Sequence, residues 1–377
     1  MEGSNISAPL SSGDSKTIHI LGTRGVPAKH GGFESCVARL APYLREKGWT
    51  VFVYCQEEGD GQITLDEWFG VIRVLVPVTG VGTFSTIKFD WKALLYALRH
   101  DGLLLSFGYP TGAFALLPWL KRRKHIINMD GIEWKRSQFG IIGKAAYYIN
   151  ERFACFFGTH LIADHPKIEE HLATRVSRSK ITTIAYGAEN KNALDDAALD
   201  FDLAFRSYGL VIARPERDNS ILEIVSAFSE KRRTVNLVVL GNYSREHDYH
   251  REVLDAASDQ VLFPGAVYEL ERVFKLRSCA AYYVHGHKVG GTNPSLVEAL
   301  GAASPTIAHD NEFNRWVAGD AAIYFDSHAE LSEAMELLSS DVSKQDSLSA
   351  AATKRWEAEF QWKKILAEYD HLVTRFI

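Results

Sequence analysis

TIHILGTRGVPAKHGGFESCVARLAPYL, residues 17–44, carries the fold decision. Its opening TIHILG (17–22) is a short, continuous β-branched run of the kind that fills a strand buried on both faces. A glycine-rich turn follows, GTRGVPAKHGGFES (22–35), and then Phe33, Val37, Leu40, Ala41 and Leu44 recur at i, i+4, i+7, i+8 and i+11. That spacing puts one apolar stripe on a helix, so the stretch reads as strand, turn, helix. It is the opening unit of a βαβ series.

The same grammar continues outward. TVFVYC (50–55), VIRVLVP (71–77), GLLLSF (102–107), HIINM (125–129), THLIA (159–163) and ITTIAYG (181–187) read as further strands separated by amphipathic segments. Residues 190–206, NKNALDDAALDFDLAFR, are acidic and carry no strand signal, so they read as a joint. The pattern then restarts with YGLVIAR (208–214), NLVVLG (236–241), VLFPG (261–265), AAYYVHG (280–286), PTIAHD (305–310) and AAIYF (321–325). Alternating strands and helices with apolar strands imply an α/β protein of two doubly wound, parallel-sheet domains, with ligands expected in a cleft at the carboxyl ends of the strands. A polar, Lys- and Glu-bearing helix from about Ser347 to Phe376 closes the chain. The expected division is a disordered tail over 1–16, a first domain over 17–188, a second over 189–355, and a terminal crossing segment over 356–377. No shorter internal repeat is visible.

Composition agrees with this class. At about 150 residues per domain, 377 residues make two or three domains, and 46% hydrophobic with 24% charged residues is ordinary globular usage. Cys36, Cys55, Cys155 and Cys279 stand singly with no C-x-x-C pair, which argues against a disulfide scaffold or a zinc knuckle and for a reducing, cytoplasmic setting. The opening MEGSNISAPLSSGDSK has no apolar leader core. GLLLSFGYPTGAFALLPWL (102–120) is long and uncharged, but GYPTG breaks it into strand, turn and helix rather than a membrane span.

Charge divides unevenly within the net of −5. Residues 1–190 hold 22 Lys+Arg against 18 Asp+Glu, and residues 191–377 hold 20 against 29. Within residues 73–152 the ratio is 12 to 5, including Lys121, Arg122, Arg123 and Lys124 directly after GAFALLPWL. Such a region suits anionic lipid, a phosphorylated substrate or nucleic acid, or is simply a solvated face.

Three stretches have the makings of a site. In GTRGVPAKHGGFES, Gly22, Gly25, Gly31 and Gly32 allow close backbone approach, and the helix starting near Gly32 offers free amides to an anion, or the turn is merely tight. The glycines do not have the G-x-G-x-x-G spacing, and no G-K-[ST] follows, which disfavours nicotinamide and P-loop chemistry. In ARPERDNS (213–220), Arg214 and Arg217 are two guanidinium forks able to grip a diphosphate, or partners for Glu216 and Asp218. In HGHKVGGTNPSLVEALGAASPTIAHD (285–310), Asn293 reads as an N-cap and Pro294 as the first helical residue, so Gly290, Gly291 and Thr292 present amides to an anion while Glu298 in the next turns suits two vicinal ribose hydroxyls. His285 and His287 lack a third ligand for a metal. Asp200-Phe201-Asp202, the only Asp-x-Asp match, lies in the polar joint.

Together the GG-x-E turn at Gly31–Glu34, IAYGAE (184–189), Arg214 after a strand, and GGTNPSLVEALGAASPTIAHD followed by FNRWV resemble the family-4 retaining glycosyltransferases of the two-domain GT-B fold. The likeness runs from about Ile18 to FQWKKILAEYDHLV, which looks like the family's segment crossing back onto the first domain. GTRGVPAKHGGFES with NMDGIEWKR (128–136) and HGHKVGGTNPSLVEAL is similar to a bacterial subgroup that includes capsule and O-antigen rhamnosyltransferases.

The resemblance implies that Gly31 and Gly32 lie against a nucleoside-diphosphate sugar, that Arg214 neutralises the diphosphate, and that Glu298 holds the ribose, with Gly290, Gly291, Thr292 and Asn293 completing the donor site. It implies retention of anomeric configuration and no metal or other cofactor. Prepositioned donors to a departing diphosphate are worth about 3–4 kcal/mol each. Two departures from the family pattern stand out. The position eight before Glu298, where the family carries a Glu for the donor sugar, is Gly290, which suits a 6-deoxyhexose such as L-rhamnose. The family Lys five after the arginine is Asn219, and Arg217 is the candidate to replace its charge. Asp130 occupies the place of a family His, either as acceptor-positioning group or base or as a turn cap, and Glu133 and Trp134 are further acceptor candidates, Trp134 as a platform for a sugar ring. Asp130, Arg214 and Glu298 are thus the candidate catalytic residues. The expected partners are a nucleotide sugar and a saccharide or polyprenyl-diphosphate-linked acceptor, with peripheral contact at the inner face of an anionic membrane and no nucleic acid. A nucleotide-sugar 2-epimerase on the same fold is the alternative.

Overall fold

A computed structural model describes residues 16–28, 31–136, 139–190 and 200–377. The tail expected over 1–16, apart from Lys16, and most of the joint fall outside these residues. The chain divides into two compact units. Unit 1 takes residues up to Trp134, Ile141–Ala185 and Ile365–Ile377, and unit 2 takes Tyr186–Lys364 with the short stretch 135–140.

In unit 1, β1 (Thr17–Leu21), β2 (Thr50–Glu58), β3 (Thr64–Trp68), β4 (Val71–Val78), β5 (Leu103–Phe107), β6 (His125–Asn128), β7 (His160–Ala163) and β8 (Ile181–Thr183) form a sheet in the order 3-4-2-1-5-6-7-8. All pairings are parallel except β3 with β4. The helices are α1 (Gly31–Glu46), α2 (Thr83–Ala97), α3 (Leu116–Leu120), α4 (Ile141–Phe157) and α5 (Pro166–Ala173). Because the steps from β4 to β5, β6, β7 and β8 all run the same way along the sheet, right-handed crossovers put α2 to α5 on one face, and the reversed step from β1 to β2 puts α1 on the other. Phe89, Ala93, Leu94 and Ala97 of α2 are buried against Val74, Val76 and Val78 of β4, each full burial being worth roughly 1–3 kcal/mol.

Unit 2 repeats the plan with β9 (Tyr208–Ile212), β10 (Asn236–Leu240), β11 (Val261–Gly265), β12 (Tyr282–His285), β13 (Thr306–His309) and β14 (Ala322–Phe325), in the parallel order 11-10-9-12-13-14. Its helices are α6 (Ile221–Ser229), α7 (Asp248–Asp255), α8 (Leu270–Cys279), α9 (Pro294–Gly301), α10 (Glu312–Ala318), α11 (His328–Ser340) and α12 (Val342–Glu359), and α13 (Trp362–Thr374) ends the chain. Its core gathers Val211, Phe228, Val239, Tyr282 and Met335. The reversal of strand order beside β9 is the switch point from which ligand sites are expected.

Two expectations need correction. Strand β3 was not foreseen: TLDEW is an antiparallel edge strand whose residues stay half-buried or exposed, so it lacks the apolar run that marks its neighbours. The single terminal helix is two, α12 and α13. Phe360 is fully buried, its carbonyl accepts from Ala188 N–H at 2.8 Å, and Gln361 bridges Ala188, so the backbone leaves the helix to pair with the strand-like segment after β8.

Candidate functional site

The Arg214 turn follows β9. Arg214 is the open guanidinium of this turn: its side chain is 70% exposed and only 3.4 Å from Glu216. Arg217 is placed differently. Its fork is held by both carboxylate oxygens of Glu252 at 2.8 and 3.0 Å, and it lies over the Tyr249 ring at 4.7 Å. Asn219 is buried and acts as a bracket, donating through Nδ2 to the Arg214 carbonyl at 2.8 Å while its Oδ1 sits 2.7 Å from His287 Nδ1.

His287 belongs to the loop after β12, which is laced to this turn. Ser220 Oγ donates to the Gly286 carbonyl at 2.7 Å, Lys288 N–H to the Asp218 carbonyl at 2.9 Å, and the His287 carbonyl accepts from Asn311 and Asn314 at 3.0 and 2.9 Å. Gly286 has no room for a side chain, since a Cβ would stand 2.3 Å from the Asn219 carbonyl oxygen. Burial lowers the His287 pKa to about 4, so the ring is neutral, with Nδ1–H donating to Asn219. Gly290 has φ +147°, and a Cβ there would come within 3.0 Å of His287 Nε2. Gly290 is therefore bare backbone beside a neutral imidazole.

Helix α9 begins as its sequence dictates. The Asn293 side chain accepts from Ser295 N–H at 2.9 Å and Pro294 occupies the first turn, with Thr292 buried just before it. Glu298 projects from the next turn and meets Arg277 Nη1 of α8 at 2.7 Å. Arg277 is 4% exposed, donates to Ser295 Oγ at 2.9 Å and stacks on Tyr283 at 5.9 Å. Tyr283 OH in turn is 2.8 Å from Ser295 Oγ.

In unit 1 the glycine turn splits into two roles. Gly22 and Gly25 are spoken for by the protein itself, since a Cβ would lie 2.2 Å from the Phe107 carbonyl oxygen and 2.5 Å from Cys55 Sγ. Gly31, with φ +80°, and Gly32 open α1, and the buried Glu34 accepts from Arg24 N–H at 3.3 Å across the turn. Lys29 and His30 lie outside the described residues. After β6, Asp130 takes a left-handed conformation, φ 47°, with its N–H donated to Asn128 Oδ1 at 3.0 Å, the Asx-type turn that Asn supports. Tyr109 OH then accepts from Glu133 N–H and donates to the Gly131 carbonyl, both at 2.9 Å. Trp134 Nε1 donates to Glu151 Oε2 at 2.7 Å, and its ring meets Tyr148 edge-on at 5.7 Å. Glu151 is 1% exposed. Burial alone would raise its pKa, but bonds from His171, Trp134 and Arg175 outweigh burial and leave it lowered.

The structure thus groups Arg214, Asn219, His287 and Gly290 through one pair of laced loops, and Asp130, Glu133 and Trp134 through one turn. Sequence reasoning missed Arg277 and Glu151, and weighed His287 only as a metal ligand. An isolated Arg in α8 or Glu in α4 carries no local signal, because each partner comes from another element, whereas the Asn at the family Lys position was a hint that something new sat opposite. Among the described residues, no group of three or more His, Cys, Asp or Glu side chains is placed to hold a metal ion, and no helix is long and apolar enough to cross a membrane.

Comparison with known proteins follows the same division. Residues 15–189 match a domain of unknown function, DUF1972, and residues 208–355 match glycosyl transferases group 1. No curated protein matches. Among solved structures, the chain is similar to a sucrose-phosphate synthase from Thermosynechococcus elongatus, 16% identical with a TM-score of 0.79, over 96% of this chain and 98% of that one. It is similar to Anabaena HepE in complex with UDP, 14% identical with a TM-score of 0.72, and to a trehalose-phosphate synthase from Burkholderia xenovorans in complex with glucose-6-phosphate, 11% identical with a TM-score of 0.71, each over 96% of this chain and 100% of the other. At these identities the likeness is one of fold, and the fold is GT-B. The glycosyl transferases group 1 match lies on the unit that holds Arg214 and Glu298, within a chain of GT-B fold.

Proposed function

We propose that the chain is a retaining, metal-independent glycosyltransferase that moves a hexose or 6-deoxyhexose, L-rhamnose being the leading choice, from a nucleoside-diphosphate sugar to a saccharide acceptor. In this reading the acceptor is carried on a polyprenyl diphosphate, the product serves bacterial surface polysaccharide, and the enzyme works at the inner face of the cytoplasmic membrane. The observation that carries it is the Arg277-held Glu298 one turn inside α9, on the same unit as the exposed Arg214. A carboxylate fixed through one oxygen presents the other to vicinal hydroxyls, and an open guanidinium answers a diphosphate. The amides of Gly290, Gly291 and Thr292 ahead of the Asn293 cap add donors for the same charge. Arg217, engaged by Glu252, contributes by ordering the turn rather than by touching the donor.

The proposed reaction is front-face substitution. The bond from the anomeric carbon to the phosphate oxygen breaks, the acceptor oxygen bonds to that carbon on the same face, and the acceptor proton passes to the departing phosphate. Asp130 orients the acceptor hydroxyl, and Glu133 and Trp134 line its approach. HepE binds UDP, so UDP is the first ligand to try here. A panel of nucleotide sugars tested for thermal shift and hydrolysis, with the anomeric configuration of the product read by proton NMR, tests the reading. Arg214→Ala should abolish the shift. Absence of any shift across the panel overturns transfer from a nucleotide sugar, and an inverted product overturns retention.

A further inference from the structure

Helices α2, α3 and α4, on one face of the unit 1 sheet, are unlike those of an ordinary solvated layer. On α2, Phe84 and Trp91 stand two turns apart and point outward, Phe84 87% exposed. On α3, Trp119 and Leu120 are exposed, and on α4 Ile141 and Ile142 are almost wholly so, with Phe156 continuing the same side about four turns on. These helices are neighbours. Trp91 meets Phe114, just before α3, at 5.1 Å, and Trp119 meets Phe157 of α4 at 5.3 Å.

Charge on the α2, α3 and α4 part of this layer is sorted by sign, whereas α5 pairs Glu169 and Glu170 with Arg178 and Lys167. Helices α2, α3 and α4 contain two carboxylates, and both turn inward: Asp90 accepts from Thr111 Oγ1 at 2.8 Å, and Glu151 is buried among Trp134, His171 and Arg175. Lys88, Lys121, Arg122, Lys124 and Arg152 are exposed on or beside the same helices. Asp101, in the loop after α2, is fully exposed 3.9 Å from the half-buried Arg123. A protruding apolar ridge with a predominantly basic rim is the pattern of a helix layer lying in a lipid interface, where buried apolar area and attraction to anionic headgroups act together.

We propose that the exposed side of α2, α3 and α4 docks on an anionic lipid bilayer. A second copy of the chain fits less well, because a two-fold contact through this face would set lysines and arginines against their own kind. The aliphatic ridge of Ile141 and Ile142 also has no use for a nucleic-acid backbone. Each basic residue near such a surface strengthens binding about fivefold. The proposal deepens the reading of a lipid-linked acceptor, since it would hold unit 1 where such an acceptor is found.

Flotation of the full chain with vesicles of phosphatidylcholine and phosphatidylglycerol at 3:1, and of phosphatidylcholine alone, tests it without donor or acceptor. Wild type should float with the anionic vesicles and lose at least tenfold in partitioning when glycerol lipid charge is removed or salt is raised. Two variants, Phe84→Ser/Ile141→Ser/Ile142→Ser and Lys88→Glu/Arg152→Glu, should each lose at least tenfold while keeping the wild-type far-UV circular dichroism; the second keeps the test decisive if the first does not fold. Wild type that stays at the bottom, or variants that float as it does, overturns the proposal, as does an apolar variant whose only change is from dimer to monomer in sedimentation. Nucleotide-sugar hydrolysis measured on the same samples reports the transferase reading separately, so failure of one does not imply failure of the other.

Discussion

Arg277 and Glu298 meet at 2.7 Å across two helices, one partner buried and the other reaching toward solvent with its side chain 37% exposed. The arrangement fixes a carboxylate from behind. Arg277→Met should therefore leave α9 in place and Glu298 loosely held. We expect a stability loss of about 1–3 kcal/mol in urea denaturation, less than for a fully buried pair because Glu298 is partly wet, and UDP affinity at least tenfold weaker by calorimetry. Arg277→Lys keeps the charge but loses the bond to Ser295, and should fall between. Unchanged UDP binding in both would leave Glu298 without its proposed role.

Stability should fall on the acid side through buried histidines. Burial holds His19, His125 and His287 at pKa values of about 4, against an ordinary 6.5. Between those values the unfolded chain binds protons that the folded chain refuses. The contribution is whole above about pH 6.5 and drains away as the pH drops toward 4, by at most about 1.4 kcal/mol per pH unit for each ring. Urea midpoints at pH 7.5, 6 and 5 should descend, and a flat series would contradict neutral buried imidazoles.

Asp90 has the opposite sign. It lines a cavity of about 40 Å³ with Ser106, Thr111 and His125, and burial raises its pKa to about 6, the Thr111 hydrogen bond opposing that rise. The folded chain keeps this proton below about pH 6 while the unfolded chain releases it near 3.8, so this contribution favours the fold in acid and is lost as the pH rises through 6. Asp90→Asn should raise the urea midpoint at pH 7.5 and lose that advantage by pH 4. An equal effect at both would mean the carboxyl titrates normally.

Trp134 is positioned by Glu151, and the two can be separated. Glu151→Gln weakens the bonds to the indole, His171 and Arg175 together, with an expected cost of about 2–4 kcal/mol in denaturation. Trp134→Ala should cost less stability, raise the acceptor KM several-fold and leave donor hydrolysis unchanged. A matching loss of donor hydrolysis would move Trp134 out of the acceptor role.

Much of this was legible in the chain because buried parallel strands must be apolar throughout. The TIHILG, TVFVYC and NLVVLG runs each lie within or along an observed strand, and the Asn293-Pro294 start of α9 carries its own cap chemistry. What escaped was set by long-range partners. TLDEW pairs only along one edge with β4, so its residues need no apolar pattern. Phe360 reads as helical until the Ala188 amide draws its carbonyl away. Gly22 and Gly25 look like ligand-facing glycines in sequence, yet strands β5 and β2 already fill the space beside them. Arg217 read either as a grip for a diphosphate or as a partner of Glu216 or Asp218, and Glu252, from α7, was the partner no local reading could supply.

Helix α13 has a consequence for the order in which the molecule can assemble. Its Tyr369 hydroxyl accepts from Asn128 Nδ2 at 2.9 Å, and Asp370 accepts from Trp49 Nε1 at 3.2 Å, so a lobe built of earlier-made residues is finished by residues made after the second unit. A ribosome translating this message would expose an N-terminal lobe with a vacant seat for as long as the rest is being polymerised. Completion of that lobe waits on synthesis of the whole intervening unit, and a premature stop before codon 365 would cost the front of the protein its closing strut.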